Sequence, residues 1–545
     1  MKLKRTVLGP VLVAAVAFVS GGWLLQRQTS MEGARVDSRI FDEILSRVSR
    51  DYVDEHSQDE LYQMAVEGLL YELGDPHTSF MSKKAYDDLR VQTTGEYGGL
   101  GIQIAERNGW ITVISPLPGT PAERAGLKAG DRIVEVEGES TEGWSDEDAV
   151  QALRGRTGTP VTIKIGRPGV DEPIPFTIVR DDIRVKSVSY AYMLEPGVGI
   201  ARLSVFAETS TAELTRAIAE LRQQGMKSLI LDLRTNPGGL LDQGVQVSDL
   251  FLEPGQTIVE TRGRDQRDNE TFTARNPDVL PAFPMVILVD EYSASAAEIV
   301  AGALQDHDRA LVIGVPTFGK GSVQTLFPLS GGNFLKMTTG RWFTPVGRSI
   351  QKDHNTDGDL AELIDEEPIS ADGQPVPAAE AIDTVTREAY RTDSGRVVYG
   401  GGGIVPDMMV TPDTLTTTEK DFFTTVAKGG SKFNDAIFRF AVDHVRANPN
   451  LQPGFPITDA MLDQFYQRLT DGGLEVTREQ YSAAERLVRQ RLGYEISQAK
   501  FGSAIAAQRG NSDDKLVRTA VELLRSAPSQ QALFDMVETR KQAAR

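Results

Sequence analysis

Two short apolar runs, Pro284–Asp290 (PMVILVD) and Ala310–Val315 (ALVIGV), constrain this 545-residue chain more than any other feature. Each has the length of a strand and is almost wholly apolar, so each reads as a strand buried inside a sheet. Polar residues follow both: Ser293-Ala294-Ser295-Ala296-Ala297-Glu298 after the first, and Thr317-Phe318-Gly319-Lys320-Gly321-Ser322-Val323-Gln324 after the second. Strand tips are where open α/β sheets keep their chemistry. A serine at the start of a helix and a lysine on a neighbouring turn form a Ser-Lys dyad when the amine takes the hydroxyl proton that histidine takes in a triad. Ser295 and Glu298 also fit a capping box opening a helix over Ala296–Gln305, and that motif alone would make the serine structural.

The rest of this half of the chain alternates strand and helix. Strands are expected at Gly199–Phe206 and Ser228–Leu233, with helices at Ser210–Gln224 and Leu240–Leu252, ahead of the two runs above. Leu335–Phe343 and Arg396–Pro406 are expected to complete a mixed sheet, and the acidic, proline-rich insertion Asp357–Ala379 to form a loop. Phe41–Leu73 has helical periodicity, and Thr418–Arg545 turns helical again, at Phe433–Ala447, Asp459–Leu469, Arg478–Ala506 and Asp514–Ser526, without visible chemistry. Between lies a β-rich module, about 95–182, with alternating strands at Ile111–Ser115 and Arg132–Val136 and a capped helix running from Ser145 to Arg154.

The serine and lysine runs resemble the signature of the C-terminal processing peptidases, or tail-specific proteases, whose serine lies in S-A-S-A/S-x-E-I and whose lysine lies in T-x-G-K-G-x-V-Q. Leu231-Asp232-Leu233-Arg234-Thr235-Asn236-Pro237-Gly238-Gly239, Gly74-Asp75-Pro76-His77-Thr78 and Gly402-Gly403-Ile404-Val405-Pro406-Asp407 also match in the family's order. The resemblance runs from about Phe41 to Pro412. It implies Ser295 as nucleophile, Lys320 as general base and Gln324, one helical turn beyond, as the group that orients it. It also implies a crotonase-like mixed-sheet core over 187–412. Gly119-Thr120-Pro121-Ala122-Glu123-Arg124-Ala125-Gly126-Leu127-Lys128-Ala129-Gly130-Asp131 resembles PDZ domains. In such a domain Gly99, Leu100, Gly101 and Ile102 would offer backbone N–H groups to a peptide's terminal carboxylate while the peptide adds as a strand. Arg154 would be either a C-terminal cap of the groove helix or a residue that reaches the protease core when a tail is bound.

The chemistry of the dyad is physically consistent. A free lysine, with a pKa of about 10.4, is almost wholly protonated near neutrality. Burial beside Phe318 and Val323 would disfavour the ammonium, and a neutral Gln324 orients the nitrogen without adding a charge that would hold it protonated. Ala296 N–H and the Gly238/Gly239 turn are the candidate oxyanion donors. Rival chemistries fit less well. Alanines flank Ser295, so the G-x-S-x-G elbow is missing. His56, His77, His307, His354 and His444 are the five histidines, of which His307 reads as part of a solvated connection. There is no H-E-x-x-H motif and no cysteine, so no metal or other cofactor is expected. Gly319-Lys320 precedes Gly321 where a phosphate loop needs Ser or Thr.

A formal net charge of −19 argues against nucleic acid as a partner. Lys2, Lys4 and Arg5 precede the uncharged, mainly apolar stretch Thr6–Leu25, just long enough to span a bilayer, which places residues 1–29 as a signal anchor or signal peptide and sends the remainder across. The expected organisation is thus a membrane segment, a helical region over 36–94, the PDZ module over 95–182, the catalytic core over 187–412 and a helical region over 418–545. The expected function is that of an exported serine endopeptidase in a bacterial envelope, anchored in the inner membrane with its catalytic part in the periplasm or outside the cell, and acting on proteins with unstructured hydrophobic C-terminal tails. A second copy or an adaptor stays open as a further partner. The alternative is a non-catalytic PDZ scaffold tethering envelope proteins at the membrane.

Overall fold

The computed structural model describes residues 39–168, 170–352, 387–411 and 415–543, in two compact units. The apolar stretch Thr6–Leu25 and the insertion Asp357–Ala379 lie outside the described residues. Among the described residues no helix is long and apolar enough to cross a membrane, and no group of three or more His, Cys, Asp or Glu is placed to hold a metal.

The smaller unit joins the residues up to Lys83 with Gln324–Thr338. Its helix Gln58–Glu72 opens with a complete capping box between Ser57 and Glu60. Strand Ser79–Met81 runs antiparallel to Phe334–Lys336. The helical periodicity over Phe41–Leu73 is real, yet of its apolar positions Leu45 and Leu61 are buried while Ile44, Met64 and Leu69 are exposed.

The larger unit is built on a six-stranded sheet ordered Val188–Glu195, Val198–Leu203, Ser228–Asp232, Met285–Val289, Leu311–Gly314, Met408–Met409. The first pair is antiparallel and the other pairs are parallel. Every residue of Ser228–Asp232 and Met285–Val289 is buried, as strands covered on both faces of a parallel sheet require. Helices Ser210–Gln223, Leu241–Asp249 and Ala296–Asp306 supply the core on one face, with Leu214, Ile218, Val247, Val300 and Leu304. The other face, Ile200, Ile230, Val286, Leu288, Leu311 and Ile313, is covered by Leu516, Val517, Ala520, Leu523, Leu533 and Phe534 of helices Lys515–Ser526 and Gln530–Ala543. Each fully buried Leu or Val there contributes about 1.5–3 kcal/mol.

Two sheet assignments change. Residues 339–343 pair with Thr257–Gly263 instead of joining the main sheet, through Glu260↔Phe343 and Thr261↔Trp342. Val397–Tyr399 pairs with Ala389–Arg391, because positive φ at Gly401, Gly402 and Gly403 ends the strand and Arg396 turns to Asp308 and Asp407. The edge of the main sheet is instead Met408–Met409, just past the expected run.

The β-rich module forms a sheet ordered Ile102–Arg107, Trp110–Pro116, Arg132–Val136, Pro160–Gly166, Ile174–Val179, with helix Asp146–Leu153 against it. Its core includes Ile111, Val113, Ile133, Val161, Ile163 and Ile165. Ile102–Arg107 stands at the sheet edge. The C-terminal region adds helices Thr417–Lys428, Lys432–Ala447 and Asp459–Asp471, whose aromatic core sets Phe422, Phe433, Phe440 and Phe465 edge to face. The helix expected over Arg478–Ala506 is three: Arg478–Ala483, Glu485–Phe501 and Ser503–Asp513. The last break falls at Gly502, whose φ is 85°.

Candidate active site

Strand Met285–Val289 leads through a tight turn into helix Ala296–Asp306, and Ser295 is the residue at which the chain reverses, with φ 54° and ψ −114°. A non-glycine residue there is strained and persists only where its surroundings hold it. The expected capping box joins Ser295 and Glu298: Ser295 N–H donates to Glu298 Oε2 at 2.8 Å, and Glu298 N–H also lies 2.9 Å from the Ser295 carbonyl. The sequence lacks an elbow's flanking glycines, yet the backbone makes the elbow's sharp reversal. Room for it comes from a distant residue. A Cβ on Gly238 would stand 2.7 Å from Ser295 Cβ and 3.0 Å from Ala296 N.

Glu298 is fully buried and ties the two polar runs together. Its Oε2 accepts Ser295 N–H at 2.8 Å and Lys320 N–H at 3.0 Å, while its Oε1 accepts Thr317 Oγ1–H at 2.5 Å and Gly319 N–H at 2.7 Å. Burial pushes its carboxyl up to about 7, against the downward pull of those four donors. Lys320 is half-buried, and its carbonyl accepts Trp342 Nε1–H at 3.1 Å. Val323 packs against the main core. Gln324 lies on strand Ser322–Pro328 and not a helical turn from the lysine, and its amide donates to Thr338 Oγ1 at 3.4 Å.

The loop after strand Ser228–Asp232 brings its glycines to the serine. Gly238 N–H is taken by Asn236 Oδ1 at 2.9 Å, and Asn236 Nδ2 in turn holds the Leu203 carbonyl at 2.7 Å. Gly239 bridges in parallel to Phe206, a geometry that turns its own N–H away from that partner. Its φ of 143° and the 2.2 Å that would separate a Cβ from the Phe206 carbonyl oxygen exclude any other residue. Ala296, at the first helical position, has one of the N–H groups that a helix leaves without an internal partner. Of the three expected oxyanion donors, the structure therefore leaves Ala296 and Gly239 with amides outside this bonding and engages Gly238 internally.

In the β-rich module Gly101 has φ 74° and lies against Thr120, whose hydroxyl bonds its carbonyl at 3.0 Å. The Leu100 carbonyl accepts Ala122 N–H at 2.9 Å, so the Gly99–Ile102 turn is fixed ahead of the edge strand Ile102–Arg107. Arg154 caps that helix, lies 4.4 Å from the Tyr97 ring centroid and 3.6 Å from Asp88 Oδ1.

The histidine reading is corrected. His307 is not solvated: its Nδ1 meets Asp393 Oδ2 and its Nε2 the Thr257 carbonyl, each at 2.7 Å, because the loop it closes is covered by two other chain segments. Ser293 is fully buried within 2.9 Å of the Leu233 carbonyl and 3.1 Å of Asp290 Oδ1, a structural serine. Glu298 was visible in the sequence only as a cap. Its place three residues after a serine, ahead of a glycine-rich turn short of acceptors, was the available signal of its larger part.

The profile described as peptidase family S41 matches residues 197–360 and that of the PDZ domain matches residues 88–166. A carboxy-terminal-processing protease of Bartonella bacilliformis is 45% identical over 315 residues, spanning 57% of this chain and 72% of the relative. The carboxy-terminal processing protease CtpA of Bacillus subtilis is 34% identical over 354 residues, 65% of this chain and 75% of the relative. Among solved structures, a photosystem II D1 C-terminal processing protease aligns at 32% identity over 57% of this chain and 89% of its own, with a TM-score of 0.33.

Proposed function

The chain belongs to peptidase family S41 as a carboxy-terminal processing serine protease with a PDZ domain, and from that membership we propose that it is an exported endopeptidase, held at the bacterial inner membrane by Thr6–Leu25, that captures C-terminal tails on its PDZ module and cleaves them with a Ser295-Lys320 dyad. The core over 187–412 is read as crotonase-like, flanked by the module over 95–182 and the helical region over 418–545.

In this mechanism Ser295 Oγ attacks the scissile carbonyl carbon as neutral Lys320 Nζ takes its proton, and Gln324 orients the amine. The oxyanion is met by Ala296 N–H and an amide of the Gly238-Gly239 turn. Lys320 then returns the proton to the departing amine, the C–N bond breaks, and an ester on Ser295 remains. Water, deprotonated by the same lysine, cleaves that ester and frees the acid and the serine. A tail strand added to the edge Ile102–Arg107 would present its carboxylate to the Gly99–Ile102 turn.

One observation carries the dyad reading: a single oxygen, Glu298 Oε2, accepts the backbone N–H of both Ser295 and Lys320, which fixes the two candidate residues in one frame. The test is proteolysis of an unfolded protein with a hydrophobic C-terminal tail by the exported portion and its Ser295→Ala, Lys320→Ala and Lys320→Arg variants. All three should be folded and inactive, the last because guanidinium does not deprotonate. Cleavage by Ser295→Ala refutes the assignment.

A further inference from the structure

The loop bearing Gly238 and Gly239 is gripped from behind by a polar cluster that the mechanism above does not use. Asp232, fully buried at the end of its strand, takes the Arg234 guanidinium through Nε at 2.9 Å and Nη2 at 2.8 Å, and the Tyr190 hydroxyl at 3.0 Å. Burial pushes the Asp232 carboxyl up, but the Arg234 charge and hydrogen bonds together with the Arg202 charge hold it below its ordinary value. The remaining arm of Arg234, Nη1, reaches Asp514 Oδ2 at 2.7 Å. Asp514 is the N-cap of helix Lys515–Ser526, its Oδ1 accepting Val517 N–H at 2.9 Å. Three residues earlier, Asn511 donates to the Tyr190 and Tyr192 hydroxyls at 3.0 and 2.8 Å. The cluster thus connects the C-terminal helices to the loop beside Ser295.

What it holds is strained. Thr235, the next residue after Arg234, is β-branched and sits at φ 53°. Its N–H is taken by Asp290 Oδ1 at 2.8 Å, and Arg202 bonds both its hydroxyl and the Arg234 carbonyl, the latter at 3.0 Å. Such a residue stays in place only while its neighbours over-determine it. Three residues on lies Gly238, against Ser295.

We propose that Asp514 is a positioning residue for peptide hydrolysis: by holding the free arm of Arg234 it locks the strained Thr235 turn and, through it, the Gly238-Gly239 backbone facing Ser295. The C-terminal helices, which lie beyond the family signature motifs, are then part of the catalytic apparatus. The inference rests on the reading of Ser295 as nucleophile. Donors aimed at the developing oxyanion act in the transition state, so their misplacement lowers kcat and leaves KM in place.

Asp514→Ser tests it, because serine still caps the helix but does not reach Arg234. With a tailed unfolded protein as substrate, kcat should fall roughly tenfold to a hundredfold, at unchanged KM and with the melting temperature well above that of the assay. Asp514→Asn, which keeps cap and acceptor but not the charge, should fall between. Adding Asp514→Ser to Arg234→Lys should cost little more than Arg234→Lys alone, since both break one link. Wild-type kcat in folded Asp514→Ser overturns the proposal. So does a loss that only tracks the unfolded fraction and disappears on cooling, or one that adds fully to that of Arg234→Lys. If Ser295→Ala still cleaves, the nucleophile reading fails instead, whatever Asp514 does.

Discussion

Replacing Glu298 by glutamine changes one atom pair at the centre of the site and is expected to separate stability from catalysis. The carboxylate accepts four hydrogen bonds, two on each oxygen. An amide has one acceptor oxygen, so in either orientation its NH2 faces two of those donors. With the oxygen toward Ser295 and Lys320, Thr317 can rotate its hydroxyl to accept, and Gly319 N–H is left buried without a partner, a cost of about 1–3 kcal/mol. With the oxygen toward Thr317 and Gly319, both Ser295 and Lys320 N–H lose theirs and the cost is about twice that. Against this stands the burial penalty of the ionised carboxylate, which exceeds the pull of its four donors and leaves the group raised to about 7. The neutral amide avoids that penalty, so Glu298→Gln should unfold within a few kcal/mol of wild type at pH 8. Catalysis has no such compensation, since even the cheaper orientation releases Gly319 N–H, on the residue before Lys320, and the dearer one releases Ser295 and Lys320 themselves, so kcat should fall by roughly tenfold to a hundredfold. Denaturant unfolding and steady-state proteolysis on one preparation measure both. A folded Glu298→Gln enzyme with wild-type kcat would refute the clamp.

Three further outcomes follow from the same geometry. Because Glu298 binds its proton more tightly in the folded state, at about 7 against 4.5, its contribution to stability is full below pH 4.5 and is lost as the pH rises to about 7; Glu298→Gln should flatten that part of a melting-temperature series, and an unchanged slope would show that the carboxyl titrates elsewhere. Gly238→Ala places a Cβ 2.7 Å from Ser295 Cβ at a φ of 93°, so it should abolish turnover while PDZ binding of a tail peptide, followed by calorimetry, is retained; an active variant would mean the loop moves freely. Arg154→Ala removes a cation held over Tyr97 and beside Asp88; if this arginine couples tail binding to cleavage, turnover of tailed proteins should drop far more than peptide affinity, whereas equal binding and equal turnover would leave it a helix cap.

Much of this site was legible in the sequence because the chain writes buried strands as unbroken apolar runs. Pro284–Asp290 and Ala310–Val315 became adjacent parallel strands, and their polar tails met at Glu298. Local patterns were also safe where both partners lie within one turn, as in the helix that Ser145 caps over Asp146–Leu153. What stayed hidden depends on contacts between distant segments. Nothing near Ser295 announces its backbone reversal, since the glycine that admits it is Gly238. His307 looked solvated because Asp393 and Thr257, which enclose it, are remote in sequence. The C-terminal helices looked idle because their amphipathic faces do not name the surface they cover, which is the underside of the catalytic sheet. The breaks at Ala484 and Gly502 were lost inside one helical periodicity.

The central claim, that Ser295 is a nucleophile activated by Lys320, is tested most directly by covalent labelling. The protein from residue 30 onward is incubated with a fluorophosphonate, digested, and the modified peptide is located by mass spectrometry, alongside the Lys320→Ala variant. The account predicts a single adduct on Ser295, displacing fluoride, that forms with the wild-type enzyme and slows by orders of magnitude without the lysine amine. An adduct on a different residue, or labelling of Ser295 at the wild-type rate in Lys320→Ala, would contradict it.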